Sequence, residues 1–215
     1  MMLKNTISIV LILLISGCGV LWLRTGRNRS VQQNMFGVLL LCALALEVLG
    51  FAMRLACMNS AWLYNGFQLL EFGLIMRMVD TTVPWLRRWT VLAGGLSTAG
   101  FIAFWVEDGG DGALLSDGIL LLASVQLIFL LRALFHLADR PDHDLSRSPV
   151  FWVYGGMAVY FGGVVPALAG IMYVYTHDAV IASELWALIA FVGVLRYLLA
   201  LVGLLNRQWT SSDGW

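Results

Sequence analysis

Seven apolar runs divide the chain, each close to the ~20 residues that a helix needs to cross a bilayer, and only short polar stretches separate them. The runs cover about residues 6–23, 35–53, 61–79, 89–106, 115–137, 150–175 and 184–205. The third, Trp62-Leu-Tyr-Asn-Gly-Phe-Gln-Leu-Leu-Glu-Phe-Gly-Leu-Ile-Met-Arg77, organises the rest, because Tyr64, Asn65, Gln68 and Glu71 interrupt it. At 3.6 residues per turn Asn65, Gln68 and Glu71 fall along one stripe of a helix, with Leu70, Leu74 and Ile75 largely away from it. A carboxylate at mid-bilayer depth costs at least about 2–3 kcal/mol, so Glu71 is expected to face the protein interior, with a partner, protonated, or both.

Other runs carry marks of their own. The second contains Glu47, and the seventh carries Arg196 near its middle. The fourth has a small-residue face, Gly94, Gly95, Ser97 and Gly100, suited to close helix packing. The sixth is interrupted by Gly162-Gly-Val-Val-Pro166. Pro166 frees a backbone carbonyl and, with Gly162 and Gly163, marks a kink that either gates or lines a cavity or is tolerated beside tight glycine packing. The first and fifth runs end alike, and the third and seventh share Phe72 to Arg77 and Phe191 to Arg196 as similar segments. A three-plus-one-plus-three parallel repeat has that spacing, although the positive-inside rule alone would also place these arginines.

Composition makes the bilayer the solvent: 60% of residues are apolar and 12% charged, where a soluble domain has about a quarter charged. Seven spans fill 215 residues and leave no room for a domain outside the membrane. Net charge is zero and the only basic run is Arg24 to Arg29, which excludes nucleic acid as a partner. With the N-terminus outside, Arg24, Arg27, Arg29, Arg87, Arg88, Arg140, Arg147 and Arg207 fall on the inner side, against Lys4 and Arg54 on the outer. That asymmetry sets the fold class: an all-α, polytopic bundle of seven transmembrane helices, N-terminus out and C-terminus in. Trp22, Trp62, Trp85, Trp89, Trp105, Trp152, Trp186 and Trp209 lie at run ends, where an amphipathic ring prefers the headgroup region. Leu14-Ile-Ser-Gly-Cys18 matches the bacterial lipobox pattern. Lipidation would put the arginines after Leu23 outside, so the expectation is an intact N-terminus, with Cys18, Cys42 and Cys57 as packing residues.

Depth brings the polar groups together. At 1.5 Å per residue, Gln68 and Glu47 lie roughly 10 Å from the outer ends of their helices, Glu71 about 15 Å and Arg196 about 18 Å. The reading is a polar pocket between the second, third and seventh helices, with Glu47 and Glu71 as acids, Arg196 as counter-charge and Tyr64, Asn65, Gln68 and Tyr197 as hydrogen-bonding groups. The bland alternative is an ion pair with amide links that only holds the bundle together. Arg77 and Arg132, near inner helix ends, snorkel.

Several chemistries drop out. Lys4 is the only lysine, so no Schiff-base site exists inside the membrane. The three histidines, His136, His143 and His177, lie at or beyond run ends, so neither a catalytic triad nor a histidine metal cluster can be assembled in the core. The stretch His136 to Asp144 gathers acids and histidines but matches no metal spacing, and Glu107 to Asp117 lacks the ligand alternation of a calcium loop. No cofactor and no metal are expected, and an enzyme is the least favoured class.

Trp62-Leu-Tyr-Asn-Gly-Phe-Gln-Leu-Leu-Glu-Phe and Phe151-Trp-Val-Tyr-Gly-Gly-Met-Ala-Val-Tyr-Phe-Gly-Gly resemble segments of small seven-helix membrane proteins found in Bacteroidota and neighbouring bacteria. That resemblance implies the architecture and a bacterial inner-membrane location, singles out Tyr64, Asn65 and Glu71, and supplies no activity or substrate. Two functions remain open: transport of a small polar or cationic solute or a proton, and ligand sensing or assembly through a separate membrane or signalling partner. Topology is directly testable. A reporter fused after Trp215 should be active only as a cytoplasmic reporter and one inserted at Gly110 only as a periplasmic one; the reverse pattern overturns the orientation and every depth above.

Overall fold

A computed structural model describes residues 2–24, 30–107, 114–139, 145–174 and 179–205. Among these residues the fold is all-helical: α1 (Met2–Arg24), α2 (Val31–Leu55), α3 (Ala61–Thr82), α4 (Arg87–Glu107), α5 (Ser116–Ala138), α6 (Pro149–Val174) and α7 (Ala179–Leu205), with 3-10 turns at Pro84–Leu86 and Leu145–Arg147. Local chemistry explains where the helices begin and end. α2 starts four residues before the expected position because Ser30 and Gln33 form a capping box: the Gln33 amide donates to Ser30 Oγ at 3.2 Å, and the Ser30 amide donates to Gln33 Oε1 at 2.9 Å. Trp22 Nε1 donates to Gln33 O at 2.8 Å, and its ring lies where a side chain on Gly37 would be, so the end of α1 is pinned to the start of α2. α3 continues through Asp80 to Thr82, beyond the expected end, until Pro84 opens the 3-10 turn.

The helices form a closed circuit. α1 packs on α2, α2 on α3, α3 on α5, α5 on α6, α6 on α7, and α7 returns to α1; α4 packs on α5 and α3 from outside that circuit. Among the described residues six helices are long and apolar enough to cross a membrane, and α3 is not one of them. Its polar side chains are turned inward instead: Asn65, Gln68, Glu71, Asp80 and Thr82 are all buried. The outer surface is apolar, with Leu13, Leu41, Leu70, Leu96, Ile128, Phe191 and Val202 exposed.

Backbone comes closest to backbone between α6 and α7. A Cβ on Gly156 would sit 2.7 Å from the Arg196 carbonyl oxygen, and one on Gly203 would sit 2.8 Å from the Pro149 carbonyl oxygen. Backbone therefore meets backbone there, and a side chain would drive the two helices apart. On α4, by contrast, Gly94 and Gly95 face open space; only Ser97 and Gly100 of that face meet the bundle. α6 is one continuous helix through Pro166, which is exposed on the outer face together with Gly162.

The end of α2 is strained. Met58 N donates to Met53 O at 2.8 Å and Cys57 N to Arg54 O at 3.2 Å, the two bonds of a Schellman turn, which places Cys57 at φ 55°. Glycine occupies that left-handed position without the Cβ clash. Cys57→Gly should therefore stabilise the protein by about 1 kcal/mol, read as a higher thermal midpoint in detergent; a lower midpoint would show that the turn carries no strain.

Candidate functional site

The interior charge centre joins helices that are not principal packing neighbours. Glu71, midway along α3, and Arg196, on α7, are 1% and 5% exposed, and Arg196 Nη1 lies 2.6 Å from Glu71 Oε1. The stripe argument that turned Glu71 inward and the depth argument that levelled it with Arg196 both describe what is seen. Arg196 is the counter-charge at this oxygen, and no second donor reaches Glu71 Oε1 among the described residues.

Arg196 has better company than its partner. Its Cζ stands 5.1 Å from the Tyr160 ring centroid, 5.3 Å from that of Tyr197 and 5.9 Å from that of Phe161. A desolvated guanidinium over aromatic faces gains about 2 kcal/mol or more from their quadrupoles. The α6–α7 contact at Gly156 sets the arginine's own backbone, and Tyr160 and Phe161 follow one turn along the same helix, so close packing and aromatic cage have one origin. Cys18, fully buried on α1, donates its thiol to the Tyr197 carbonyl at 3.6 Å and ties α1 to the same turn of α7.

Other expected members of the pocket are distributed differently. Asn65 is buried, but its Oδ1 accepts the Leu115 amide at 3.2 Å and so holds the residue that precedes α5. Tyr64 is half-buried with its hydroxyl over Gly50 of α2. Gln68 is buried on α3, whereas Glu47 is half-buried on α2 within electrostatic reach of Arg54. Tyr197 is buried beside Arg196, as an aromatic neighbour of the cation. Gly163 packs against Val192, and Gly162 and Pro166 face outward, so none of the three lines the charge centre. A small cleft lies apart from it, between Gln32, Phe36, Met78, Val153 and Tyr154.

Three buried groups escaped the sequence reading. Asp80, taken as part of a loop, is buried inside α3 and pairs with Arg77 at 2.6 Å, with Arg87 at 4.0 Å; Arg77 is thus an ion-pair partner and not merely a snorkelling side chain. Tyr154 and Thr82 share a 2.6 Å hydrogen bond between α6 and α3. Gln126, in the middle of α5, is fully buried and neither its amide oxygen nor its nitrogen has a hydrogen-bond partner among the described residues. A lone amide inside the run Leu120 to Leu131 was the available signal, of the same kind as Glu71. Asp142, His143, Asp144 and most of the Glu107–Asp117 segment lie outside the described residues, within which no group of three metal-ligating side chains occurs.

No family model, curated protein or solved structure matches the chain.

The cage predicts an asymmetry. Arg196→Leu strands the Glu71 carboxylate without a directed donor and should cost about 3–5 kcal/mol, whereas Tyr160→Leu removes one ring face and should cost about 1–2 kcal/mol. Thermal midpoints in detergent check the order; equal effects would mean that the rings, not the charge, hold the arginine.

Proposed function

We propose that the chain crosses a bacterial inner membrane seven times, N-terminus out and C-terminus in, and carries a small polar or cationic solute past the Glu71–Arg196 centre. Six long apolar helices, an apolar outer surface and exposed tryptophans at Trp62, Trp85 and Trp89 support the membrane assignment. α3 matches the others in length, and its shortfall in hydropathy comes from polar groups that face the interior, which supports counting it as the seventh span.

One observation carries the functional reading: a buried acid and base meet at 2.6 Å from opposite sides of the circuit, and Glu71 Oε1 has no donor besides Arg196 among the described residues. An ion pair kept only for stability is commonly matched or bettered by an apolar pair of similar volume. Ionisable groups retained inside a membrane mark solute pathways and relays. Glu71 has unspent acceptor capacity that a passing solute can use while Arg196 stays held by its rings. The second reading, sensing or assembly through a separate partner, rests on α4, whose outer face shows Gly94, Gly95 and exposed Val91, Leu92 and Leu96 to a neighbour.

Glu71→Gln separates these from a purely structural pair. It preserves shape, and the guanidinium keeps its aromatic cage, so a carrier should remain folded while solute flux into proteoliposomes, followed by light scattering with glycerol, acetamide and methylammonium, falls at least tenfold. A structural pair should instead lose about 3–5 kcal/mol, and Glu71→Gln combined with Arg196→Gln should recover much of it. Unchanged flux in a stable single variant would remove Glu71 from any solute path and leave the partner reading, for which detergent-resistant co-purification of a second membrane protein, abolished by Gly95→Leu, is the check.

A further inference from the structure

The two free ends of the Gln126 amide sit at the level of the arginine cage. Two hydrogen bonds between helices establish that level. The Asn65–Leu115 hydrogen bond sets the outer ends of α3 and α5 side by side, so Gln126, eleven residues on, stands level with Met76 of α3. The Thr82–Tyr154 hydrogen bond sets the other end of α3 beside the start of α6, which runs the opposite way. Tyr160 and Phe161, six and seven residues beyond Tyr154, then also stand level with Met76, and these are rings of the Arg196 cage. Glu71 lies five residues nearer the outer end, about 7–8 Å away along the axis.

Direction follows from what the neighbouring positions of α5 touch. Leu127 meets Gly162 of α6, while Gly118 and Leu121 meet Phe101 and Gly100 of α4. At 100° per residue, Gln126 is about 100° from Leu127 on one side and about 80° to 140° from Gly118 and Leu121 on the other. Eleven residues also bring Gln126 back to about 20° from Leu115, whose amide meets Asn65 of α3, so it lies on the buried face of α5 with Leu122 and Leu130 and points toward α3 and the interior of the circuit.

We propose that Gln126 is a solute-binding residue of this centre and that the solute is small and neutral, with a hydrogen-bond donor and an acceptor on neighbouring atoms, of the amide or polyol class. The inference rests on the carrier reading. A primary amide offers one acceptor and two donors in a plane, and a ligand with the complementary pair satisfies both ends at once. Charge supports neutrality: Glu71 is already balanced by Arg196, and Gln126 adds none, so a cation would have to compete with a resident guanidinium held by three rings.

The test compares the wild-type protein with Gln126→Leu, Gln126→Met and Glu71→Gln in proteoliposomes, measuring influx of acetamide, glycerol and methylammonium by stopped-flow light scattering. Removing an unpartnered buried amide relieves a desolvation cost, so at least one of the two Gln126 variants should match or exceed the wild-type thermal midpoint. Wild-type protein should speed acetamide or glycerol influx at least tenfold over protein-free liposomes and leave methylammonium near the protein-free rate, and the folded Gln126 variants should abolish that gain. If they retain it while Glu71→Gln loses it, Gln126 is a buried amide satisfied by water, and the proposal falls with the carrier reading intact. Faster methylammonium than acetamide, lost in Glu71→Gln, overturns the neutral class alone. No acceleration of any solute by wild-type protein overturns both.

Discussion

A carboxylate and a guanidinium inside an apolar bundle have to be buried together or not at all, and the arrangement of seven helices is built around that requirement. Stranding either charge costs several kcal/mol, a sizeable part of the stability of a domain of this size. Glu71 and Arg196 come from α3 and α7, which do not rely on each other for backbone packing, so their meeting depends on the circuit closing correctly. The close approach of α6 to α7 at Gly156 and Gly203 fixes where Arg196 starts, and the rings of Tyr160, Phe161 and Tyr197 fix where its guanidinium ends. Around it, polar links at Asn65–Leu115, Thr82–Tyr154 and Cys18–Tyr197 register α5, α6 and α1 against the same two helices.

The apolar runs made the helical architecture legible, because an uninterrupted stretch of this length has few other ways to satisfy its backbone. Their ends were less legible. α2 begins at Val31 owing to a side-chain exchange between Ser30 and Gln33 that hydropathy does not register, and α3 extends through Asp80 because Arg77 and Arg87 neutralise it. The Glu71–Arg196 meeting was readable from periodicity and depth, since both quantities depend only on helix geometry. Which polar neighbours serve that pair was not. Asn65 shares the stripe of Glu71 but meets an amide from the start of α5, and no single-helix argument shows which helix stands opposite. The same gap misassigned the glycines: small residues reveal that a close approach is possible, and only the packing reveals that it occurs on α6 and α7 rather than through Gly94 and Gly95 of α4.

α3 illustrates how a helix can be the least apolar of a set and the most protected. Leu70 is exposed on its outward side, while Asn65, Gln68, Glu71 and Asp80 are all buried. Viewed from outside, the bundle shows little of the chemistry it contains. Gln126 repeats the pattern on α5 in miniature, with one amide among Leu122, Ala123 and Leu130.

Closure of the circuit through α1 and α7 also imposes an order of assembly. Chains are made from the N-terminus at about 5–20 residues per second, so Glu71 is synthesised on the order of ten seconds before Arg196. During that interval the acid lacks its counter-ion, the inward side of α1 lacks the helix that covers Cys18, and α6 lacks the surface that Gly156 fits. The last of the seven helices to emerge thus completes three unfinished contacts at once. A nascent chain stalled before α7 would display an unpaired carboxylate and an uncovered thiol, chemical marks by which quality-control proteases can tell an incomplete bundle from a finished one.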